Sequence, residues 1–168
     1  PNRLMYRLRA GAARAAGVLP ILPLFILSGC LVPGPRTGIT SLEVSSGAFP
    51  PGGEIPTMYT CDGANISPPL AWGAPPPGTK TLALLVTDPD APGGTFVHWV
   101  AYNLPPGTRE IPTGGAGKAV LPAGAVQGSN DFGRQGYGGP CPPRGKPNHY
   151  HFTVYALGPA ANITGTRD

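Results

Sequence analysis

The sequence predicts a mostly β domain made of short antiparallel strands. The chain of 168 residues carries 26 glycines and 24 prolines, and these interrupt short apolar runs instead of forming one continuous tract. Gly and Pro residues spaced in this way are typical of turns between strands. Only 12% of the residues are charged, and no stretch has the 3.6-residue apolar period of an amphipathic helix. We therefore expect an ordered β domain rather than disorder.

Five runs have the β-branched, aromatic or alternating composition of strands. They lie at residues 39–44, 57–61, 82–86, 97–104 and 150–157. In the last run (YHFTVYAL), a period of two places Tyr150, Phe152 and Val154 on one face of the strand.

The segments between these runs are predicted to be loops. Residues 61–72 contain a Ser-Pro-Pro sequence that excludes helix, and Trp72 at their end is expected to pack in the core rather than stack on a ligand. Residues 109–127 are rich in Gly and Ala and predict a long surface loop. A further loop at residues 129–143 is expected to be anchored by Phe132 and Tyr137.

The first 29 residues have the pattern of a lipoprotein-type signal peptide. Four arginines and no acidic residue precede an apolar run, VLPILPLFIL. Ten such residues are too few to span a bilayer, but they match the hydrophobic region of a secretory signal. The run ends in LSGC, which resembles the lipobox, so we expect cleavage before Cys30 and lipidation of its thiol. An ordinary signal peptide and a buried helix are the alternatives, and Met5 is the expected start of translation.

The remaining segments follow from this assignment. We interpret residues 30–40 as a tether, 41–157 as the domain and 158–168 as an atypical tail, as expected of a truncated chain.

Charge is balanced beyond the predicted signal peptide. Of the 12 Lys and Arg residues, four lie before residue 30, which leaves eight to balance the eight Asp and Glu residues beyond it. Charge therefore gives no argument for nucleic-acid binding. We expect an exported bacterial lipoprotein, anchored to a membrane and facing the periplasm or the cell exterior.

The stretch from residue 87 to residue 103 carries the candidate site. Asp88 and Asp90 follow one strand-like run, and His98 lies in the next, after a loop rich in Pro and Gly. An antiparallel pair would place Asp88 and His98 near facing strand ends, where they could form a small polar pocket. The alternative is that the aspartates cap a turn and that His98 is a satisfied core residue.

Known catalytic and metal-binding patterns are missing from the sequence. The three histidines form no HxxxH or HExxH pair, so we predict no metal site and no cofactor. No nucleophile elbow or P-loop occurs, and Asp88 and Asp90 are too close in sequence to flank a scissile bond. With Cys30 lipidated, Cys61 and Cys141 are candidates for a disulfide, with two free or buried thiols as the alternative.

Six motifs occur in an order that resembles one known family. They are YTCDG at 59–63, NISP at 65–68, DPDAP at 88–92, HW at 98–99, the run from DFG to CPP at 131–143, and YHFTVYAL at 150–157. Together they resemble the phosphatidylethanolamine-binding protein (PEBP) family, in its bacterial Raf-kinase-inhibitor-like branch. The resemblance implies a β-sandwich with a large antiparallel sheet, few short helices, and a small pocket for phosphate-type anions at one end.

The resemblance also implies roles for individual residues. The ligand-binding residues would be Asp88, Asp90, His98, Gly139, Pro140, Cys141, Asn148 and Tyr150, with Pro92 and Trp99 shaping the pocket and Pro142 at its rim. Asp88 would orient His98 and raise its pKa, which favours the cation. Two features depart from the family: Asn148 stands where a pocket histidine is usual, and the tail at 158–168 is unlike the family's further segments.

The expected function is non-catalytic binding of a phosphate-bearing small molecule or a phospholipid headgroup, as in the Raf-kinase-inhibitor-like branch. One alternative is an inhibitor of an extracytoplasmic protease or a kinase-linked partner that acts through surface loops. Another is a hydrolase that uses Asp88 and His98.

Overall fold

The structure is a computed structural model that describes residues 39–117, 121–143, 145 and 147–159. The predicted signal peptide, Cys30 and most of the predicted tether and tail lie outside these residues. Within them the strands are β1 (Ile39–Leu42), β2 (Val44–Ser45), β3 (Leu70–Trp72), β4 (Thr81–Asp88), β5 (Phe96–Leu104), β6 (Glu110–Ile111), β7 (Val126–Gln127) and β8 (His151–Leu157). The mostly β prediction is confirmed. A search of the described part of the chain finds no helix long and apolar enough to cross a membrane.

The strands form two antiparallel sheets. The larger sheet has the order β1-β8-β4-β5-β7, and the smaller has the order β2-β3-β6. In the larger sheet β4 lies at the centre and pairs with β8 along one edge and with β5 along the other. The central position of β4 matters for the site, because its C-terminal end then has a neighbouring strand on each side.

One hydrophobic core serves both sheets. In β4 every second residue is buried, including Leu82 and Leu84, and the facing strand β8 buries Phe152 and Val154 in the same alternation. The period-two prediction for β8 is therefore confirmed. The smaller sheet contributes to the same cluster its buried residues, which are Val44, Leu70, Trp72 and Ile111. The predicted core position of Trp72 is confirmed as well.

The predicted strand at residues 57–61 is wrong. Thr57–Tyr59 form a turn of 3-10 helix instead, in which the N–H of Tyr59 donates to the carbonyl of Pro56 and that of Thr60 to the carbonyl of Thr57, both at 2.9 Å. Pro56 sets the backbone for such a turn, because its φ is fixed near that of a helix. The apolar residues of this run are therefore placed by a turn rather than by strand pairing.

Three short strands were missed. β3 lies inside the predicted loop at 61–72, and β6 and β7 lie inside the predicted loop at 109–127. Strands of two or three residues are too short to show a period, so only their pairing partners identify them. The predicted strand at 39–44 is in fact two strands, because the chain passes from the larger sheet to the smaller one at Glu43.

Candidate functional site

A bulge in β5 turns two consecutive side chains into the interior. Val86 of β4 pairs with Trp99, whereas the next residue of β4, Thr87, pairs with Val97. His98 is therefore the additional residue on β5. Side chains of a regular strand alternate between faces, and the extra residue allows both His98 and Trp99 to be buried, with exposures of 3% and 0%.

Asp88 ends β4 on the strand's buried face. The alternation that buries Leu82 and Val86 continues to Asp88, which is 3% exposed. Its Oδ1 accepts a hydrogen bond from the backbone N–H of Asp90 at 2.8 Å, and its Oδ2 accepts one from Nδ2 of Asn148 at 2.8 Å. Both carboxyl oxygens thus have a donor, as burial of an acid requires. Asp88 caps a turn and faces the interior at the same time.

His98 is held by a backbone carbonyl and not by Asp88. Its Nδ1 lies 2.7 Å from the carbonyl oxygen of Gly138. A carbonyl can only accept, so Nδ1 carries the proton, and Nε2 is the acceptor of the neutral ring. Burial lowers the pKa of His98, although the Gly138 carbonyl and the charge of Asp88 act in the opposite direction. The charge of Asp88 does act to raise the pKa of His98, as predicted, but burial outweighs it and the net shift is downward. The predicted orienting role of Asp88 is wrong, because the carbonyl of Gly138 holds the ring.

Three aromatic rings surround the His98 ring. The centroid of His98 lies 5.1 Å from that of Phe96, 5.3 Å from that of Phe132 and 5.1 Å from that of Tyr150. Such tilted contacts are favourable for aromatic pairs. Phe132, which we expected to anchor its loop, makes these contacts while 40% exposed, whereas Tyr137 is the buried anchor of that loop.

The hydroxyl of Tyr150 is a buried polar group without a partner. Tyr150 is 1% exposed, and its hydroxyl makes no direct hydrogen bond with the residues that the structure describes, although it lies near the carboxylate of Asp88. Burial raises the pKa of Tyr150, and the negative charge and the hydrogen-bonding contact of Asp88 raise it further. The hydroxyl therefore stays protonated at neutral pH and can donate. An unsatisfied buried donor costs about 1–3 kcal/mol, so this group favours a bound partner.

A cavity of about 190 Å³ brings these groups together. Of the predicted ligand-binding residues, those that line it are Asp88, His98, Cys141, Asn148 and Tyr150, and Pro92 and Pro142 lie in its wall as expected. At about 30 Å³ per water molecule, the volume corresponds to roughly six waters. It is smaller than the pockets of about 300–1,000 Å³ that hold drug-sized ligands. The cavity therefore suits an ion or a small polar headgroup.

Four wall residues were not predicted, and they are Ala91, Phe96, Phe132 and Pro143. Phe96 could have been found from the predicted pairing of the two strands. It lies directly opposite Asp88, and directly opposed residues of paired strands have side chains on the same face. Phe132 could not have been found in this way, because the path of its loop brings it to the cavity.

A disulfide fixes one wall of the cavity. Cys61 and Cys141 are joined, with their Cα atoms 5.4 Å apart, and Cys141 itself lines the cavity. The backbone N–H of Cys61 also donates to the carbonyl of Pro140 at 3.0 Å. The segment around Cys141 is thus attached to the turn around Cys61 by a covalent bond and a hydrogen bond.

Gly138 and Gly139 are packed against the protein. The N–H of Gly139 donates to Oδ1 of Asn65 at 2.7 Å, and a Cβ at Gly139 would overlap the carbonyl oxygen of Tyr59. A Cβ at Gly138 would overlap the ring of Phe132. Both glycines are therefore required by packing within the protein. Neither Gly139 nor the neighbouring Pro140 lines the cavity.

Asp90 and Trp99 also lie outside the cavity wall. Oδ2 of Asp90 accepts from the backbone N–H of His149 at 2.8 Å and lies 2.5 Å from Nδ1 of the same residue. These contacts lower the pKa of Asp90, which is exposed to solvent. Trp99 packs behind the site in the core, where its Nε1 donates to Oε1 of Gln127 at 2.6 Å. Among the described residues no group of three His, Cys, Asp or Glu could hold a metal ion.

Comparison with known proteins assigns the chain to a family. A sequence model described as "Phosphatidylethanolamine-binding protein" matches residues 45–167. The chain belongs to the phosphatidylethanolamine-binding protein family. The match continues to residue 167, beyond residue 157, where we placed the end of the domain.

Relatives within the PEBP family support the assignment. A UPF0098 protein of Aquifex aeolicus is 54% identical over 117 residues, which are 69% of this chain and 68% of that protein. LppC of Mycobacterium tuberculosis, named as a candidate lipoprotein, is 44% identical over 73% of this chain and 59% of its own. The crystal structure of Escherichia coli YbcL, described as a member of the mammalian PEBP family, superposes with a TM-score of 0.69. It is 39% identical over 76% of this chain and 83% of that chain.

Proposed function

We propose that this PEBP-family protein is a non-catalytic binding module whose cavity accepts the phosphate group of a small molecule or of a phospholipid headgroup. The observation that carries the proposal is the buried, unpartnered hydroxyl of Tyr150 at the cavity. It is a neutral donor that a phosphate oxygen would satisfy, and hydrogen bonds to charged groups are stronger than those between neutral groups.

The groups around the cavity favour binding over catalysis. Cys141 is engaged in the disulfide and is not a free thiol nucleophile. Nδ1 of His98 is bound to the carbonyl of Gly138, so His98 and Asp88 do not form the hydrogen-bonded pair that an acid–base mechanism would use. These contacts weigh against the alternative of a hydrolase that uses Asp88 and His98.

The proposed setting is a bacterial membrane, with the domain facing the periplasm or the cell exterior. The lipobox-like LSGC sequence, the name of the LppC relative and the disulfide between Cys61 and Cys141 all support export, because disulfides persist in oxidising compartments. Lipid on Cys30 would hold the cavity near phospholipid headgroups.

The test is calorimetric titration of the protein with phosphoethanolamine, comparing Tyr150→Phe with Tyr155→Phe as the matched control. Tyr155 lies on the same strand, β8, and does not line the cavity. Loss of one hydrogen bond to a charged group costs about 1.5–3 kcal/mol, so we expect Tyr150→Phe to bind at least about tenfold more weakly. Without ligand the Tyr150→Phe variant should be close to the wild type in stability, because the hydroxyl it loses makes no direct hydrogen bond.

Either of two results would refute the proposal. If phosphoethanolamine does not bind, or if Tyr150→Phe binds it as tightly as the control, the cavity is not a phosphate site. An inhibitor that acts through its surface loops would then be the better hypothesis, and a pull-down of protease or kinase-linked partners would be the next experiment.

A further inference from the structure

The cavity that we propose for a phosphate already contains an acid. Asp88 lines it, is 3% exposed and is acceptor-only when ionised. His98 supplies a second acceptor, Nε2, because its Nδ1 proton is directed to the carbonyl of Gly138. No Lys or Arg occurs among the described residues that line the cavity. An ordinary phosphate anion carries only acceptors on its charged oxygens, so apart from the donor of Tyr150 it would meet two acceptors, one of them negatively charged.

The hydrogen bonds of Asp88 leave part of its acceptor capacity for a ligand. An ionised carboxylate offers about four lone-pair sites. Two of these accept direct hydrogen bonds, one from the N–H of Asp90 and one from Nδ2 of Asn148, and the hydroxyl of Tyr150 also lies near the carboxylate. A ligand oxygen that approaches the remaining sites without a proton is repelled, whereas an O–H···O⁻ contact is a short, strong hydrogen bond.

We propose, on the basis of the function proposed above, that the cavity selects phosphate monoesters in their singly protonated P–OH form over phosphate diesters, and that Asp88 is the residue that determines this specificity. The P–OH group would donate to the carboxylate of Asp88. Another oxygen of the same phosphate would accept from the hydroxyl of Tyr150. A phosphodiester, including the headgroup of an intact phospholipid, has no P–OH group and leaves Asp88 opposed to a charged acceptor.

The proposal predicts a pH profile. The second pKa of a phosphate monoester is about 6, so its P–OH form dominates below that pH and declines about tenfold per unit above it. The affinity for a monoester should follow the same course, whereas a diester has no group of its own that titrates there. Among the described residues, the other charged or titratable groups near the wall are Asp90 with its partner His149, Asp131, which acts on His98, and Arg134, whose guanidinium lies 5.3 Å from the centroid of the Phe132 ring. The two acids add to the penalty for an unprotonated anion, and Arg134 offsets part of it. Protonation of His98 at low pH would strengthen the binding of both phosphates, so the difference between the monoester and the diester is the quantity that tests the proposal.

Two probes that differ by one methyl group test the inference. Methyl phosphate is a monoester and dimethyl phosphate is a diester, and both are small enough for a cavity of about 190 Å³. Chemical-shift titrations of the protein by NMR between pH 5.5 and 8 would measure both affinities, with ethanolamine as a probe of the ammonium group alone. We expect methyl phosphate to bind at least tenfold more tightly than dimethyl phosphate at pH 6, and its affinity to fall as the pH rises.

The variant Asp88→Asn removes the charge while keeping the shape and supplying a donor. We expect the preference for methyl phosphate to shrink to threefold or less and its pH dependence to flatten. If this variant does not show a cooperative thermal transition, the wild-type pair of affinities and the pH profile still decide the monoester preference, on which the role of Asp88 depends.

Each outcome has a defined meaning. Equal affinities for the two phosphates, or tighter binding of dimethyl phosphate, would overturn the monoester preference while leaving phosphate binding intact. Binding of ethanolamine without binding of either phosphate would overturn both the preference and the proposed phosphate site. Absence of binding by all three probes would also overturn both. A monoester preference that survives Asp88→Asn unchanged would overturn the role of Asp88.

Discussion

Removal of the disulfide between Cys61 and Cys141 should destabilise the domain and loosen one wall of the cavity. The two cysteines are separated by 80 residues. The loop-closure relation for a cross-link gives about 4.5 kcal/mol of stabilisation for a loop of that length, mainly through the unfolded chain. This is an upper value, because an unfolded chain that retains some structure loses less entropy on cross-linking. Two nearby contacts should keep the folded wall in place after reduction: Cys61 N–H donates to the carbonyl of Pro140, and the hydroxyl of Tyr137 donates to the carbonyl of Tyr59 at 2.7 Å.

We therefore expect the variant with both cysteines replaced by serine to lose roughly 2–4.5 kcal/mol in the free energy of unfolding, as measured by urea denaturation. For a domain of this size the unfolding temperature should fall by roughly 5–15 °C. Addition of a reducing agent should shift the wild-type transition by a similar amount and leave the variant unchanged, which is the control. Coincident transitions for the oxidised and the fully reduced wild type would refute the reasoning.

Two further predictions concern stability. Gly139→Ala should lower the free energy of unfolding by about 1–3 kcal/mol in urea denaturation, because the new Cβ overlaps the carbonyl oxygen of Tyr59. The control is Gly73→Ala, which should be nearly neutral because a Cβ there meets open space. Equal effects of the two substitutions would contradict the packing role of Gly139. The second prediction concerns pH. Burial lowers the pKa of His98, so below about pH 6.5 the unfolded state binds more protons than the folded state. The free energy of unfolding should therefore be highest above that pH and decline as the pH falls toward the pKa of His98 in the folded state. His98→Gln should flatten that decline, and an unchanged slope would assign it to other groups.

Much of the large sheet could be predicted from local pattern. The alternation in YHFTVYAL predicts the buried face of β8, and the aliphatic run before Asp88 predicts β4. Both strands are long enough for a period of two to repeat several times. The short strands β3, β6 and β7 have no such repeat, so their existence depends on partners far away in the sequence.

The candidate site could likewise be predicted only in part from the sequence. The sequence motifs were enough to select Asp88, His98, Cys141, Asn148 and Tyr150, and the structure brings these five to one cavity. The motifs also selected Asp90, Gly139 and Pro140, which lie close in sequence to cavity residues but do not line the cavity. Neighbours along a chain can have side chains on opposite faces or in a buried layer behind the wall, and a motif carries no information about that choice.

What the sequence by itself determined is the composition of the β domain, the alternating faces of its long strands and the family to which its motifs belong. Only the tertiary structure decided which residues line the cavity and which of their groups can donate or accept. The bulge at His98 depends on the register between β4 and β5, and the pKa of His98 depends on how completely other segments bury it. The bond between Asp88 and Asn148 joins residues 60 positions apart. Register, burial and distant hydrogen bonds arise only when the whole chain is packed, and they determine which groups in the cavity can donate or accept.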